Sequence, residues 1–266
     1  MLDSLCPKFL ETALHDPAKE FGHTLGNIFY SVFYPINYWP EKLRIKHQVN
    51  LEKYKDAITK ELDKIPTEKL TEPPISIVGP AFEASKYHID CNEIRTMFAK
   101  LIAASMNSDT QQLVHHSFVE IVKQLSPLDS SHINFLKNGN YYPIVQYRGN
   151  VGPHFRILKS NVFLSNPLHQ DTALNSVSFA NLERLGLVTI AYDTLNVPNT
   201  NYDIFKADPL FIKYESVIEQ LRNKATLITN NTDLDINWFE NVTSISIHDG
   251  VVGLTPLGKS LASICC

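Results

Sequence analysis

Apolar residues recur at helical spacing along much of the chain. Ile94, Met97, Phe98, Leu101, Ile102 and Met106 fall on one side of a 3.6-residue repeat, and Leu113, Val114, Phe118, Ile121, Val122 and Leu125 do the same. Two helices, each with a buried face, are predicted there. Ahead of them Glu72-Pro73-Pro74 forces extended backbone, because a residue before proline is pushed out of the helical region. Gly79-Pro80 predicts a sharp turn into a helix that starts at the proline, with Gly79 in a conformation that a side chain would resist. Ser126-Pro127-Leu128-Asp129 reads as an N-cap, a proline at the first helical position and an acid in the first turn, so it restarts a helix.

The flanks carry different patterns. Residues 22–39 hold no charged side chain apart from the titratable His23, and Leu25, Ile28, Phe29, Val32, Phe33 and Ile36 share one helical face. The stretch is too short and too interrupted to span a bilayer, which needs about 20 predominantly apolar residues. It reads as a core helix. The competing reading is an interfacial helix that touches a membrane through Phe29, Phe33 and Trp39, but its polar face lacks the lysines such helices carry. Residues 41–64 alternate lysine and glutamate around Leu51, Tyr54, Ile58 and Ile65, with Leu62 beside that seam. A solvated amphipathic helix docked on its own chain is expected, since too few heptads are present for a coiled coil.

Beyond Asn138-Gly139-Asn140, which ends the helix begun at Pro127, glycines and prolines surround short apolar pieces that read as strands or loops. A helix is predicted over 176–185, stopped by Gly186 and followed by a strand. A second helix is predicted over 210–224, with Phe211, Tyr214, Val217, Ile218 and Leu221 on one face. Near the end, two strand-like runs are joined through His248-Asp249-Gly250 as a hairpin turn, and Thr255-Pro256 opens a closing helix. Helix, strand, strand and closing helix in that order look like a winged helix. The fold expected is mostly α with a smaller α+β part: a helical domain over 1–125, then a winged-helix-like domain over 126–266 with an insertion at about 194–241.

Composition narrows the function classes. With 44% hydrophobic residues in 266, the chain can bury a substantial core. The net charge is -4, with 14 basic against 16 acidic residues over 1–125 and 10 against 12 over 126–266. Neither half is basic, which weakens attraction to phosphate backbones. Ser178, Asn181 and Arg184 are the polar groups with which the 176–185 helix could read nucleic acid. Cys6, Cys91, Cys265 and Cys266 form no C-x-x-C pair, which suits a reducing compartment and no structural zinc. No signal peptide is read at the start, and Cys265-Cys266 is expected to be an unmodified helix end despite its likeness to lipidated tails.

No nucleophile elbow, P-loop, dinucleotide fingerprint, zinc-protease helix or calcium loop occurs. His115-His116 point about a third of a turn apart and read as surface histidines. His248-Asp249 reads as a turn, and Tyr141 and Tyr142 near Arg148 read as packing before a nucleotide platform. No catalytic residue, metal ligand or cofactor is predicted, and no small-molecule substrate is identified.

One resemblance adds to this. The run EPPISIVGPAFEASKYHID, followed by EIRTMFAKLIAASMNSD and HHSFVEIVKQLSPLD, resembles the bacterial abortive infection alpha family over the first half of the chain and more weakly over the rest. The resemblance implies a cytoplasmic protein of anti-phage defence and supplies no catalytic residue. The function expected is therefore non-enzymatic, acting through a protein partner or self-association. A DNA-binding regulator and a membrane-associated effector built on 22–39 are the alternatives.

Overall fold

The computed structural model describes residues 16–34, 41–193, 202–222, 239 and 241–266, so Trp39 lies outside the described residues. The described chain is mostly helical, with a small four-stranded antiparallel sheet. It gathers into two units. One runs to Asn134 and is resumed by Lys259–Cys266; the other is Phe135–Gly258.

The first unit holds α1 (Asp16–Phe33), α2 (Glu41–Leu62), α3 (Ile75–Ser85), α4 (Asn92–Ser105) and α5 (Ser117–Lys123), and α6 (Pro127–Leu136) leads out of it. Helix α4 packs against α2, α3 and α5, so its predicted apolar face is buried in full. The seam of α2 is buried at Leu51, Tyr54 and Ile58, which docks this charged helix on its own chain. Leu113 departs from the expected stripe: it sits in a 3-10 turn ahead of α5 and is exposed. At α6 the Ser126 Oγ accepts from the Asp129 N–H at 3.1 Å, while Asp129 Oδ2 accepts from the Ser126 N–H at 2.8 Å. This reciprocal capping satisfies two helix-end donors and restarts the helix where the sequence placed it.

The expectation for Gly79-Pro80 is overturned. Helix α3 begins directly after Pro73-Pro74, whose extended backbone is as predicted, and runs through Gly79 and Pro80 without a turn. Gly79 is not at positive φ, and a Cβ there would meet nothing within 4 Å outside its chain neighbours. Its role is local. A residue before proline clashes with the ring when helical, and glycine has the least to clash with.

In the second unit the strands are β1 (Tyr142–Val151), β2 (His154–Val162), β3 (Val188–Tyr192) and β4 (Ser244–Leu254), in the order β2-β1-β4-β3. The stretch left open as strand or loop is a long hairpin. Gly152, with φ 55°, and Pro153 make its two-residue turn, and proline's fixed negative φ after a positive one fits a type II′ geometry. Helices α7 (Thr172–Arg184), α8 (Pro209–Arg222) and α9 (Pro256–Cys265) complete the fold. Helix α7 starts one turn before the predicted site because Asp171 caps it, accepting from the Leu174 N–H at 2.9 Å. It stops at Gly186 (φ 71°), where Leu187 N–H reaches Leu182 O and Gly186 N–H reaches Glu183 O, both at 2.9 Å.

His248-Asp249-Gly250 is a second correction. It forms no turn. All three lie inside β4, paired with Gln146, Val145 and Ile144 of β1. Gly250 serves close packing, since a Cβ on it would stand 2.5 Å from the Tyr192 ring and 2.9 Å from Ala191 O. A glycine mid-strand marks a close approach as readily as a bend.

Candidate functional site

Helix α7 is built from a sequence with two different faces. Thr172, Asn175, Ser178, Phe179 and Leu182 are buried, with Asn175 Nδ2 donating to Phe163 O at 2.8 Å and to His169 O at 2.9 Å. The Phe179 ring lies 4.4 Å from that of Phe163. The opposite face carries Ala173, Leu174, Val177, Ala180 and Arg184, all exposed. Leu174 and Val177 are 58% and 69% exposed, and the turn before the helix adds Leu168 at 80%. Apolar side chains clustered on one exposed helix face mark an interaction surface more often than a random surface leucine does.

The three residues expected to read nucleic acid are not brought together. Ser178 is buried on the inner face, whereas Asn181 and Arg184 are partly or fully exposed and bond to each other, Arg184 Nη2 to Asn181 Oδ1 at 2.8 Å. Phe29 and Phe33, weighed above as core or membrane contacts, are buried at 3% and 4% exposure. Their rings lie 4.5 Å apart, and the Phe82 ring stands edge-on 5.3 Å from Phe29. Among the described residues no helix is long and apolar enough to cross a membrane, and no group of three potential metal ligands occurs. His115 Nδ1 pairs locally with Ser117 Oγ at 2.7 Å, and His115 and His116 are exposed.

Two polar clusters in the second unit escaped the sequence. In the first, the buried Asp208 caps α8: its Oδ1 accepts from the Leu210 N–H at 3.3 Å. Its Oδ2 accepts from the Tyr147 hydroxyl at 2.8 Å, and Thr172 Oγ1 donates to the carboxylate at 3.1 Å. No basic side chain pairs with it among the described residues. Three donors and the positive end of α8 offset its burial. Burial, then Asp208, pushes the Tyr147 hydroxyl far up from its ordinary value. The Asp208-Pro209 pair, an acid before a proline, was the available signal.

The second cluster lies on β3 and β4. The His248 ring stacks on Tyr192 at 5.9 Å, and His248 Nε2 is 2.8 Å from Asp193 Oδ1. His248 therefore pairs with Asp193 and not with its chain neighbour Asp249, which points to the other face of the strand. Tyr192 OH donates to Asn161 Oδ1 at 2.9 Å, and both Asn161 (φ 55°) and Asp193 (φ 64°) adopt left-handed backbone. Nearby, Gln146 Oε1 accepts from Arg148 Nε at 3.2 Å and Nη2 at 2.9 Å, and the guanidinium lies 4.0 Å over the Phe155 ring. No hydroxyl or thiol bonds to the His248 ring among the described residues, so the contacts hold a base in place without preparing a nucleophile. Tyr142 instead packs on Phe135 at 4.8 Å, so it forms no platform with Arg148.

No curated protein and no solved structure matches the chain. The abortive infection alpha family matches residues 46–265. The likeness noticed in the first half thus extends through the hairpin, α7, α8 and α9. Over that span the chain belongs to the abortive infection alpha family.

Proposed function

We propose that this protein acts in anti-phage abortive infection without catalysing a reaction, by binding a protein through the outer face of α7. The observation that carries this reading is the exposure of Leu174 and Val177 on a helix whose inner face is fully packed. Removing such a stripe from water contributes roughly 25 cal/mol of stabilisation per Å² of apolar surface buried. The acidic balance of both halves fits a protein partner better than a nucleic acid. Cys91, Cys265 and Cys266 form no disulfide among the described residues, which supports a cytoplasmic setting.

The second reading is a winged-helix DNA regulator. It draws support from the order α7, β3, β4, α9 and from the antiparallel pairing of Val188 with Leu254 through Tyr192 with Gly250. Against it stand the buried Ser178 and the shortage of basic groups on α7. The test combines Leu174→Ser and Val177→Ser in one variant. Loss of protection in a phage challenge, with unchanged melting, supports the protein-binding reading. Full protection with unchanged melting overturns it, and tight duplex binding that weakens steeply with salt would promote the regulator.

A further inference from the structure

We infer that the sheet face around Arg148 binds a small ligand that carries an oxyanion, phosphate or carboxylate, on an apolar or aromatic body. Between Val145 and Arg148, and again between Ile245 and His248, apolar and polar residues alternate. Val145 and Tyr147 belong to the apolar cluster that holds Phe211 and Tyr214 of α8, and Ile245 and Ile247 pack against it. Gln146, Arg148, Ser246 and His248 are thereby turned to the other side. Gln146 is paired with His248 and Arg148 with Ser246, so the four side chains share one face. None of these residues belongs to α7, and the site is independent of the protein-binding reading above.

The face is concave. Strands β2 and β3 are the two edges of the sheet, and in a flat sheet three strand spacings would hold them roughly 14 Å apart. Yet the Tyr192 hydroxyl at the end of β3 donates to Asn161 Oδ1 in β2 at 2.9 Å, which a tyrosine can do only if the sheet curls. Tyr192 crosses above Gly250 and meets the His248 ring, so the hollow of the curl is the side that carries Gln146 and Arg148.

An antiparallel sheet often leaves one polar face to water. Three features here are not those of a merely solvated face. First, the Arg148 guanidinium is held along one edge by Gln146 Oε1, at 3.2 and 2.9 Å, and across its plane by the Phe155 ring at 4.0 Å. It is oriented without an acid: no carboxylate pairs with it among the described residues, and Asp193, beside this row, is engaged by His248 Nε2 at 2.8 Å. The outer fork of Nη1 and Nη2 is left over, and its planar pair of donors matches a carboxylate or a phosphate. Second, Gln146 is only 8% exposed, and because arginine donates and never accepts, it is the amide oxygen that faces Arg148. Its amide nitrogen then has no partner among the described residues, a donor whose burial an acceptor on a ligand would offset. Third, Phe155 and Ile157 are exposed on this same face, paired through β1 with Asn150 and Arg148. Donors lacking an acceptor select an anion, and the apolar side chains beside them select the body that carries it.

The test is an NMR titration of the full chain with phenyl phosphate, benzoate and benzyl alcohol, each to about 20 mM, a range that reads millimolar affinities. The signals followed are the Gln146 side-chain amide and the backbone amides of β1 and β4. Saturable shifts with phenyl phosphate or benzoate, and none with benzyl alcohol, are expected, and the tighter anion tells whether the oxyanion taken is a phosphate or a carboxylate. Gln146→Glu keeps the acceptor for Arg148 but supplies a carboxylate and removes the unpartnered amide donors. It should raise the Kd at least about tenfold without lowering the melting temperature, whereas a purely structural Gln146 would leave binding untouched. Arg148→Lys keeps the charge, loses the fork and should weaken binding as well. The inference is overturned by the absence of a saturable shift with either anion, by benzyl alcohol binding as well as benzoate, or by parent-like affinity in a normally melting Gln146→Glu chain. Should Gln146→Glu melt early, Arg148→Lys decides alone, and parent-like affinity there overturns the site.

Discussion

The Tyr147 hydroxyl donates to Asp208 Oδ2 across 2.8 Å, with both residues buried. Tyr147 stands in the middle of β1 and Asp208 at the start of α8, so one hydrogen bond ties the insertion to the sheet. The same hydroxyl lies 3.0 Å from Phe205 O. Tyr147→Phe keeps the ring against Phe211, 5.1 Å away, and removes only the donor. The carboxylate would then be buried with one partner fewer, and a loss of about 1.5 to 3 kcal/mol is expected in denaturant unfolding. A double-mutant cycle with Thr172→Val should show coupling, since both residues bond one carboxylate. Additive effects would mean that the network is not shared.

Alkaline stability follows from the same burial. Burial raises the Tyr54, Tyr147 and Tyr214 hydroxyls above their ordinary value of 10.0 and pushes Tyr192 up to about 12. The folded chain therefore holds these phenolic protons more tightly than the unfolded chain. Their contribution is whole below pH 10 and is lost as pH rises through the raised folded values. Melting should be flat to about pH 10 and fall steeply beyond it, with tyrosinate absorbance lagging that of free tyrosine. Tyrosinate appearing near pH 10 without unfolding would contradict the burial.

Gly250 has no room for a side chain. With the Tyr192 ring 2.5 Å and Ala191 O 2.9 Å from a Cβ, Gly250→Ala must move either a ring locked to Asn161 or a backbone carbonyl of β3. A loss of about 1 to 3 kcal/mol is expected from overpacking, read as a lowered midpoint in urea. A neutral result would favour a turn at Gly250.

Pro80 lies inside α3, where its missing N–H leaves the carbonyl four residues earlier without its helical donor. Pro80→Ala restores one helical hydrogen bond and removes a ring clash, against a small entropic gain of the unfolded chain. Net stabilisation of about 1 to 2 kcal/mol should raise Tm by a few degrees. A lowered Tm would show that the helix needs the proline.

Phe29 lies in a cluster with Phe33, Tyr54 and Phe82. Phe29→Ala should cost about 3 to 5 kcal/mol by leaving a cavity. Thermal melts beside liposome flotation check this. Unchanged melting with lost flotation would move α1 from the core to a membrane surface.

The helical half was legible because its signals are local. Three-and-four spacing alone places Ile94 through Met106 on a buried face, and Ser126, Pro127 and Asp129 carry their own capping chemistry within four residues. The helix stopped by Gly186, the strand that follows it and the closing helix opened by Pro256 were legible for the same reason. What only the tertiary structure decided depends on partners distant in sequence. Gly250 reads as a turn by itself, and it becomes mid-strand because β1 and β3 pair on both sides of β4. Gly79-Pro80 likewise reads as a break, yet α3 continues because its neighbours Ile77, Val78, Ala81 and Phe82 are held in the core. Ser178 looked like a reading group until packing against the hairpin fixed which face of α7 turned inward. The outer stripe of α7 and the Tyr147–Asp208 bond are both products of that packing, since periodicity gives a helix its faces but only the rest of the fold chooses which one is left in water.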